Sequence, residues 1–275
     1  MSFSESDLRR VGEILAHAAR TEITPRYGQL AAAQIRQKTS ALDVVSEADE
    51  AAEAVIQRSL LESFPGSLVI GEESAYKNPA LLESIATADL VFVVDPIDGT
   101  KNFVSHLPLF AVMSAAIVRG EIAASVIFDP AYREWAYALK GSGAWLERED
   151  RTKSPLQVAQ PVELSKMEGI ATTSFLPEPL RTAVQSNLKK LAATNAFRCA
   201  AHEYRMAASG YCHFLFYNRL MPWDHAAGWL LHREAGGYSA HFDGSPYHPT
   251  HLTGGLICTP DEASWHLLHD ALLGS

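Results

Sequence analysis

Leu90-Val91-Phe92-Val93-Val94-Asp95-Pro96-Ile97-Asp98-Gly99-Thr100-Lys101-Asn102-Phe103 is the stretch from which the rest of the chain is read. It opens with an apolar run long enough for a buried strand. The strand is expected to end at Asp95-Pro96, because proline donates nothing to a sheet ladder. Two carboxylates three positions apart follow in a turn closed by Gly99, and a hydroxyl comes next at Thr100. If Asp98 starts a helical turn, the amides of Gly99 and Thr100 point out of a helix N-terminus, where an anion is favoured. Acids and an anion site in one turn repel the same ligand. They coexist if divalent cations lie between carboxylate and phosphate, since hard cations share substrate oxygens. The plainer reading is a buried strand ending in an Asp-Pro turn, with Asp98-Gly99 as ordinary turn chemistry.

Upstream, Leu8, Val11, Leu15 and Ala18 recur at helical spacing over residues 7–20, and Pro25 places the end of that helix by Ile23. A second helix is predicted over 46–63, with Ala48, Ala51, Ala52, Val55, Ile56 and Leu60 on one face. Ser46-Glu47-Ala48-Asp49 starts it as a capping box, which gives Asp49 a structural reason to be there. Pro65-Gly66 breaks the chain before a short strand over 68–70, which runs into Gly71-Glu72-Glu73-Ser74. Those adjacent acids are either a solvated loop or a carboxylate set at a sheet edge. Asn78-Pro79 begins a short helix through Ile85, with Asn as cap and Pro at the first position.

Downstream, 110–118 and 122–128 flank Arg119-Gly120 as a hairpin. Segments 135–139 and 144–146 continue an antiparallel meander across Gly141-Ser142-Gly143, which lacks the following helix that a nucleotide loop requires. The polar residues 147–166 divide the chain into an α+β half, 1–150, and an α/β half, 151–275, packed as one compact unit. In the second half, strands over 169–173, 197–199, 212–217 and 256–258 alternate with helices over 180–192, 202–208, 223–235 and 261–272. Asp224 falls at a helix start, where the dipole favours an acid whatever its function.

With 47% hydrophobic and 20% charged residues among 275, the composition is that of an ordinary globular protein. A net charge of −9 argues against a nucleic-acid surface or an anionic membrane as partner, and it suits a cation-dependent site. Cys199, Cys212 and Cys258 lack the close pairing of a zinc site or a disulfide framework. A reducing cytoplasm is the expected setting. Residues 1–7 are polar and acidic, unlike a signal peptide. No apolar run approaches the roughly 20 residues that span a bilayer.

Asp49, Glu72, the Asp95/Asp98 pair and Asp224 therefore all stand at the ends of predicted elements. Three blocks lie in order: Gly71-Glu72-Glu73-Ser74; Asp95-Pro96-Ile97-Asp98-Gly99-Thr100-Lys101-Asn102-Phe103; and Trp223-Asp224-His225-Ala226-Ala227-Gly228 with Glu234-Ala235-Gly236-Gly237 behind it. Lys38 and Asp43-Val44-Val45-Ser46-Glu47-Ala48-Asp49 precede them. Together they resemble the inositol monophosphatase family, within the lithium-sensitive, magnesium-dependent phosphatases. The resemblance implies a five-layer αβαβα sandwich, with an antiparallel sheet in the first half and a more mixed or parallel one in the second. It implies a homodimer that hydrolyses a small phosphate monoester with two or three Mg²⁺ ions.

Carried over by position, Glu72, Asp95 and the Ile97 carbonyl hold a first metal. Asp95, Asp98 and Asp224 hold a second, and Glu72 with water a looser third. Thr100 and Asp49 orient the attacking water, and the amides of Gly99 and Thr100 take the phosphate. The chemistry agrees, because phosphoryl transfer needs positioning and charge neutralisation more than covalent help. Carboxylates also suit Mg²⁺. No Ser-His-Asp or Cys-His arrangement competes, and His225 reads as a helix-start residue rather than a ligand.

Two departures bear on the substrate. Inositol phosphatases of this kind carry an acid seven residues before the last metal aspartate, and here that residue is Tyr217. Their small-residue segment is replaced by Arg198-Cys199-Ala200-Ala201-His202-Glu203-Tyr204-Arg205. His202, Glu203, Arg205 and Tyr217, with Asp98, are thus candidates for contact with the leaving alcohol, the alternative being a solvent-facing helix. Glu203 would accept from hydroxyls or an amine, and Arg205 would pair with a second anionic group. Inositol phosphate, histidinol phosphate, a sugar phosphate and a nucleotide 3′-phosphate remain allowed. The alternative from another class is a non-catalytic, transcription-associated binding protein on the same fold.

Overall fold

Along β4 (Val91–Asp98) successive side chains point to opposite sides, and that alternation sets the layers of the molecule. The computed structural model describes residues 3–40 and 43–274, so Met1 and Ser2 of the polar N-terminal run lie outside it. Phe92 and Val94 fall in a hydrophobic cluster with α1 (Glu5–Ala18) and α2 (Glu47–Ser63), whereas Val91 and Val93 belong to the cluster on the other face.

α2 starts as the sequence predicts, whereas α1 starts at Glu5, two residues before the expected position. Ser4 and Asp7 form a capping box on α1, and Ser46 and Asp49 form one on α2. α1 runs on through a wider turn, Ala19–Ile23, and stops before Pro25. β1 (Ile35–Ser40) and β2 (Asp43–Ser46) form an antiparallel pair that the apolar pattern does not announce.

The first sheet has seven strands, in the order β3 (Leu68–Gly71), β4, β5 (Ala111–Val118), β6 (Glu121–Asp129), β7 (Glu134–Leu139), β8 (Gly143–Arg148) and β9 (Lys153–Pro155). β3 and β4 are parallel and every later pair is antiparallel. β8 ends inside the polar stretch 147–166 and β9 lies within it, so the passage between the sheets is shorter than the sequence suggested. After β3 the chain turns at once into α3 (Glu72–Lys77), and Pro79–Ala86 forms a 3₁₀ helix. α4 (Thr100–Val104) follows β4 directly.

The second sheet has the order β11-β10-β12-β14-β13, built from β10 (Glu168–Ala171), β11 (Ala193–Asn195), β12 (Phe214–Tyr217), β13 (Tyr238–Ala240) and β14 (Leu256–Thr259). β11, β10 and β12 are parallel; β14 is antiparallel to both of its neighbours. Leu215, Tyr217, Leu256 and Cys258 join Val91 and Val93 in a core shared with α6 (Ala200–Ala208) and α7 (Pro222–Glu234). Phe214, Phe216 and Ile257 face the other way, onto α5 (Leu180–Asn187) and α8 (Glu262–Leu273). The result is the five-layer αβαβα sandwich, with α6 and α7 between the sheets.

Two second-half expectations are corrected. The helix predicted over 180–192 ends as α5 at Asn187 with a 3₁₀ turn Leu188–Lys190, and the chain then enters the exposed edge strand β11. Residues 197–199 are no strand, because side chains satisfy the Phe197 backbone. Its N–H donates to Glu203 Oε1 at 2.8 Å and its carbonyl accepts from Asn102 Nδ2 at 2.7 Å.

Candidate active site

β4 does not stop at Asp95-Pro96. Asp95 pairs with Met113 and Asp98 with Ala111, so β4 advances three residues while β5 advances two. That extra residue is a bulge, and Pro96 lies within it, where a missing N–H costs no ladder bond. The bulge also has a chemical consequence. Residues three apart on a regular strand face opposite ways, and one inserted residue restores them to the same side. Asp95 and Asp98 therefore converge.

α7 supplies the third acid. Asp224 lies in its first turn, and oxygens of Asp95, Asp98 and Asp224 all fall within 4.8 Å of one another. Burial, reinforced by the neighbouring carboxylates, holds Asp95 and Asp224 well above the usual carboxylate range. Asp98 is pushed up to about 6, chiefly by burial and despite hydrogen bonds to its charged form. Those bonds come from the Ala201 N–H at 2.5 Å and the Cys199 thiol at 3.1 Å, both to Oδ2. Asp95 Oδ1 accepts from the Ile97 N–H at 3.0 Å.

Asp49 closes the predicted cap with one oxygen and meets Thr100 with the other. Its Oδ2 accepts from the Ser46 N–H at 2.9 Å and the Ser46 hydroxyl at 2.6 Å, closing the cap. Its Oδ1 accepts from the Thr100 hydroxyl at 2.9 Å. Burial pushes Asp49 up to about 6. The Thr100 hydroxyl is also 2.9 Å from the Ile97 carbonyl, so its single proton has two competing acceptors. Gly99, before it, has φ 86°, and a Cβ there would lie 2.8 Å from the Leu109 carbonyl oxygen. Only glycine turns the chain there without strain.

Glu72 opens α3 rather than lying in a loop, and Lys38 Nζ donates to it at 2.7 Å and to Glu73 at 2.6 Å. Glu72, the three aspartates and Thr100 line one cavity of about 380 Å³. Its far wall comes from Thr172, Thr173, Ser174 and Phe175 after β10, with Arg198, Tyr217 and Arg219.

The replaced segment divides in two. Glu203 and Tyr217 line the cavity, with the Tyr217 hydroxyl donating to Glu203 Oε2 at 2.8 Å. Burial pushes Glu203 up to about 7. His202 and Arg205 do not line it. Arg205 donates to Asp129 Oδ2 at 2.6 Å and Glu134 Oε2 at 3.2 Å, on the first sheet, and His202 Nε2 lies 3.2 Å from the Phe110 carbonyl. The helix turns them away from the cavity, so the expectation of an Arg205 contact with the substrate gives way to a structural ion pair. His225 is buried, with Nδ1 3.0 Å from the Tyr204 hydroxyl and Nε2 2.9 Å from the Arg219 carbonyl. Both ring nitrogens are engaged, so it offers no ligand.

The comparisons agree with this geometry. The model of the inositol monophosphatase family matches residues 3–273. The chain belongs to the inositol monophosphatase family. Within it, the chain is 34% identical to Nus factor SuhB of Escherichia coli (strain K12) over 247 residues, 88% of this chain and 87% of that protein. It is 29% identical over 245 residues to the fructose-1,6-bisphosphatase/inositol-1-monophosphatase of Thermotoga maritima, covering 89% and 85% of the two. The crystal structure of the extragenic suppressor protein suhB from Bartonella henselae superposes with a TM-score of 0.83 at 27% identity, covering 98% of this chain and 99% of that one.

Sequence reasoning gave no role to two further residues. Asn102 ties α4 to Leu109 and Phe197, and Glu53 is buried beside Glu73 and Ser74. No helix among the described residues is long and apolar enough to cross a membrane.

Proposed function

We propose that the protein hydrolyses a small-molecule phosphate monoester with Mg²⁺. Buried carboxylates of Asp95, Asp98 and Asp224 within 4.8 Å carry the reading. An all-oxygen donor set whose members raise one another's proton affinity is what a hard divalent cation relieves. Glu72, Asp95 and the Ile97 carbonyl would hold one ion, Asp95, Asp98 and Asp224 a second, and Glu72 with water a looser third. Bound there, the ions would acidify a water and neutralise phosphate charge.

The chain's own groups do the rest. With the Ile97 carbonyl committed, the Thr100 proton goes to Asp49 Oδ1, and the hydroxyl is left to accept from the attacking water. Asp49 cannot swing, because Ser46 holds its other oxygen through two hydrogen bonds. The amides of Gly99 and Thr100, placed by the left-handed turn, would receive the phosphate.

Among the described residues the leaving-group side offers no free acid to grip a polyol, since Glu203 is already occupied by Tyr217 and the Phe197 N–H. Myo-inositol 1-phosphate should then have a lower kcat/KM than histidinol phosphate or a nucleotide 3′-phosphate. We place the protein in a reducing cytoplasm, which its free cysteines Cys199, Cys212 and Cys258 suit, and as a homodimer, which the family resemblance supports. A second reading, a transcription-associated binding protein, is favoured by the relatives named Nus factor. Every acid proposed as a ligand is present, which ranks hydrolysis first.

The test is turnover of a panel of phosphate esters by metal-stripped protein. Activity should appear with Mg²⁺ and vanish on chelation. Full turnover in excess EDTA after stripping would refute the metal-dependent reading.

A further inference from the structure

Glu53 is a buried acid of α2 that none of these roles uses. It lies one helical turn after Asp49, on the same face, and is 6% exposed. Its Oε2 accepts from the Glu73 N–H at 2.7 Å, and its Oε1 accepts from the Ser74 N–H at 2.8 Å. Both amides belong to the first turn of α3, immediately after Glu72. On the other side of Glu72 the same carboxylate lies against Gly71. A Cβ there would be 2.1 Å from Glu53 Cδ and 2.2 Å from Oε2. The chain thus gives up any side chain at Gly71 and takes its cap from another helix. The Ser74 hydroxyl lies 3.0 Å from the Gly71 N–H, so the turn is closed from within as well.

We propose that Glu53 is a positioning residue for Glu72. It fixes the backbone on both sides of Glu72, so that the Glu72 carboxylate meets its cation at a set distance from Asp95. Charge-assisted bonds to two amides hold more firmly than a neutral cap does. Lys38 then restrains the Glu72 side chain itself. α2 therefore sets two sides of the site, Asp49 against Thr100 and Glu53 beneath Glu72. This inference rests on the metal-dependent reading above, and its test is chosen to separate the two.

Glu53→Gln keeps the size but puts an NH₂ against one of the two amides. Calorimetric titration of the metal-free protein with Mg²⁺ should show affinity weakened about tenfold, as for other groups that orient a metal ligand. At saturating Mg²⁺, kcat should stay within about threefold of wild type, and the melting temperature in EDTA should fall modestly, because one buried amide loses its acceptor. Gly71→Ala, which displaces the same carboxylate, should add no further loss of Mg²⁺ affinity in the Glu53→Gln background. Glu53→Asp keeps the charge but falls one methylene short, and it serves the same titration if the glutamine variant does not fold. A lowered melting temperature with unchanged Mg²⁺ affinity makes Glu53 a structural cap and overturns the inference, as does no change in either. A wild type that binds no Mg²⁺ overturns the metal-dependent reading itself.

Discussion

At the scale of single residues, an acid at a helix start has two explanations, and the structure shows that they are not exclusive. Asp49 closes a capping box and also holds Thr100, one oxygen for each. Asp224 has a place in the first turn of α7 on dipole grounds alone, yet its oxygen converges with those of Asp95 and Asp98. Asp224→Asn separates the two roles. As a helix-start residue asparagine serves nearly as well, and removing one of three crowded carboxylates relieves repulsion. The metal-free melting temperature should hold or rise. Activity should fall by about 3 kcal/mol in barrier, roughly a hundredfold in kcat. A kcat within about threefold of wild type at saturating Mg²⁺ would return Asp224 to a capping role. Glu53 left a subtler trace in the sequence. It sits four after Asp49 and three before Ile56, on the stripe that α2 buries. A charge on a buried stripe is a signal, but its partners are backbone amides twenty residues away, which no local pattern reveals.

At the scale of elements, the fold was most legible where apolar runs and turn residues agree. The β5–β6 hairpin, the capping box of α2 and the extent of α7 follow from spacing alone. The end of β4 did not, because the proline that normally stops a strand sits in a bulge, and pairing partners decide a bulge. β11 and β13 were illegible for another reason. Three-residue edge strands such as Ala193–Asn195, exposed along their length, carry no apolar alternation. α6 was placed correctly but its rotation about its own axis was not, and that rotation decides which side chains reach the cavity. Arg205 is the test. Its side chain is largely buried beside the 2% exposed side chain of Asp129. Arg205→Ala takes the counter-charge from that carboxylate, whose other oxygen keeps the Ala131 and Tyr132 amides; a buried pair broken from one side loses at most about 3–5 kcal/mol. The melting temperature should fall by several degrees while the ranking of phosphate esters by kcat/KM stays that of wild type. A changed ranking at unchanged melting temperature would put Arg205 back in the substrate site.

At the scale of the whole molecule, the layers bring acids from β4, α3, α6 and α7 to one cavity, with Asp49 of α2 buried behind Thr100, and the metal-free protein bears the cost of holding them there. Burial pushes Asp49 and Asp98 up to about 6 and Glu203 up to about 7. In the unfolded chain such groups titrate at about 4. The folded state therefore binds their protons more tightly. That contribution to stability is complete below the unfolded values and is lost as pH rises through the folded ones. In EDTA the melting temperature should fall as pH goes from about 4 to about 7, the window between those unfolded and folded values. Mg²⁺ should raise the melting temperature most at the alkaline end, because a ligand that binds only the folded state stabilises it by mass action. Asp98 then answers to the cation instead of the proton, and the slope should shrink. Glu203 is bonded to Tyr217 and the Phe197 N–H rather than placed among the proposed ligands, so it should keep a residual slope in Mg²⁺. Glu203→Gln should flatten that residue of pH dependence and leave the Mg²⁺-sensitive part intact. Melting curves across that range, with and without Mg²⁺, decide the matter. A metal-free melting temperature that rises steadily across the same range would mean that these carboxylates are already ionised without strain, and the cavity would then have no need of a cation.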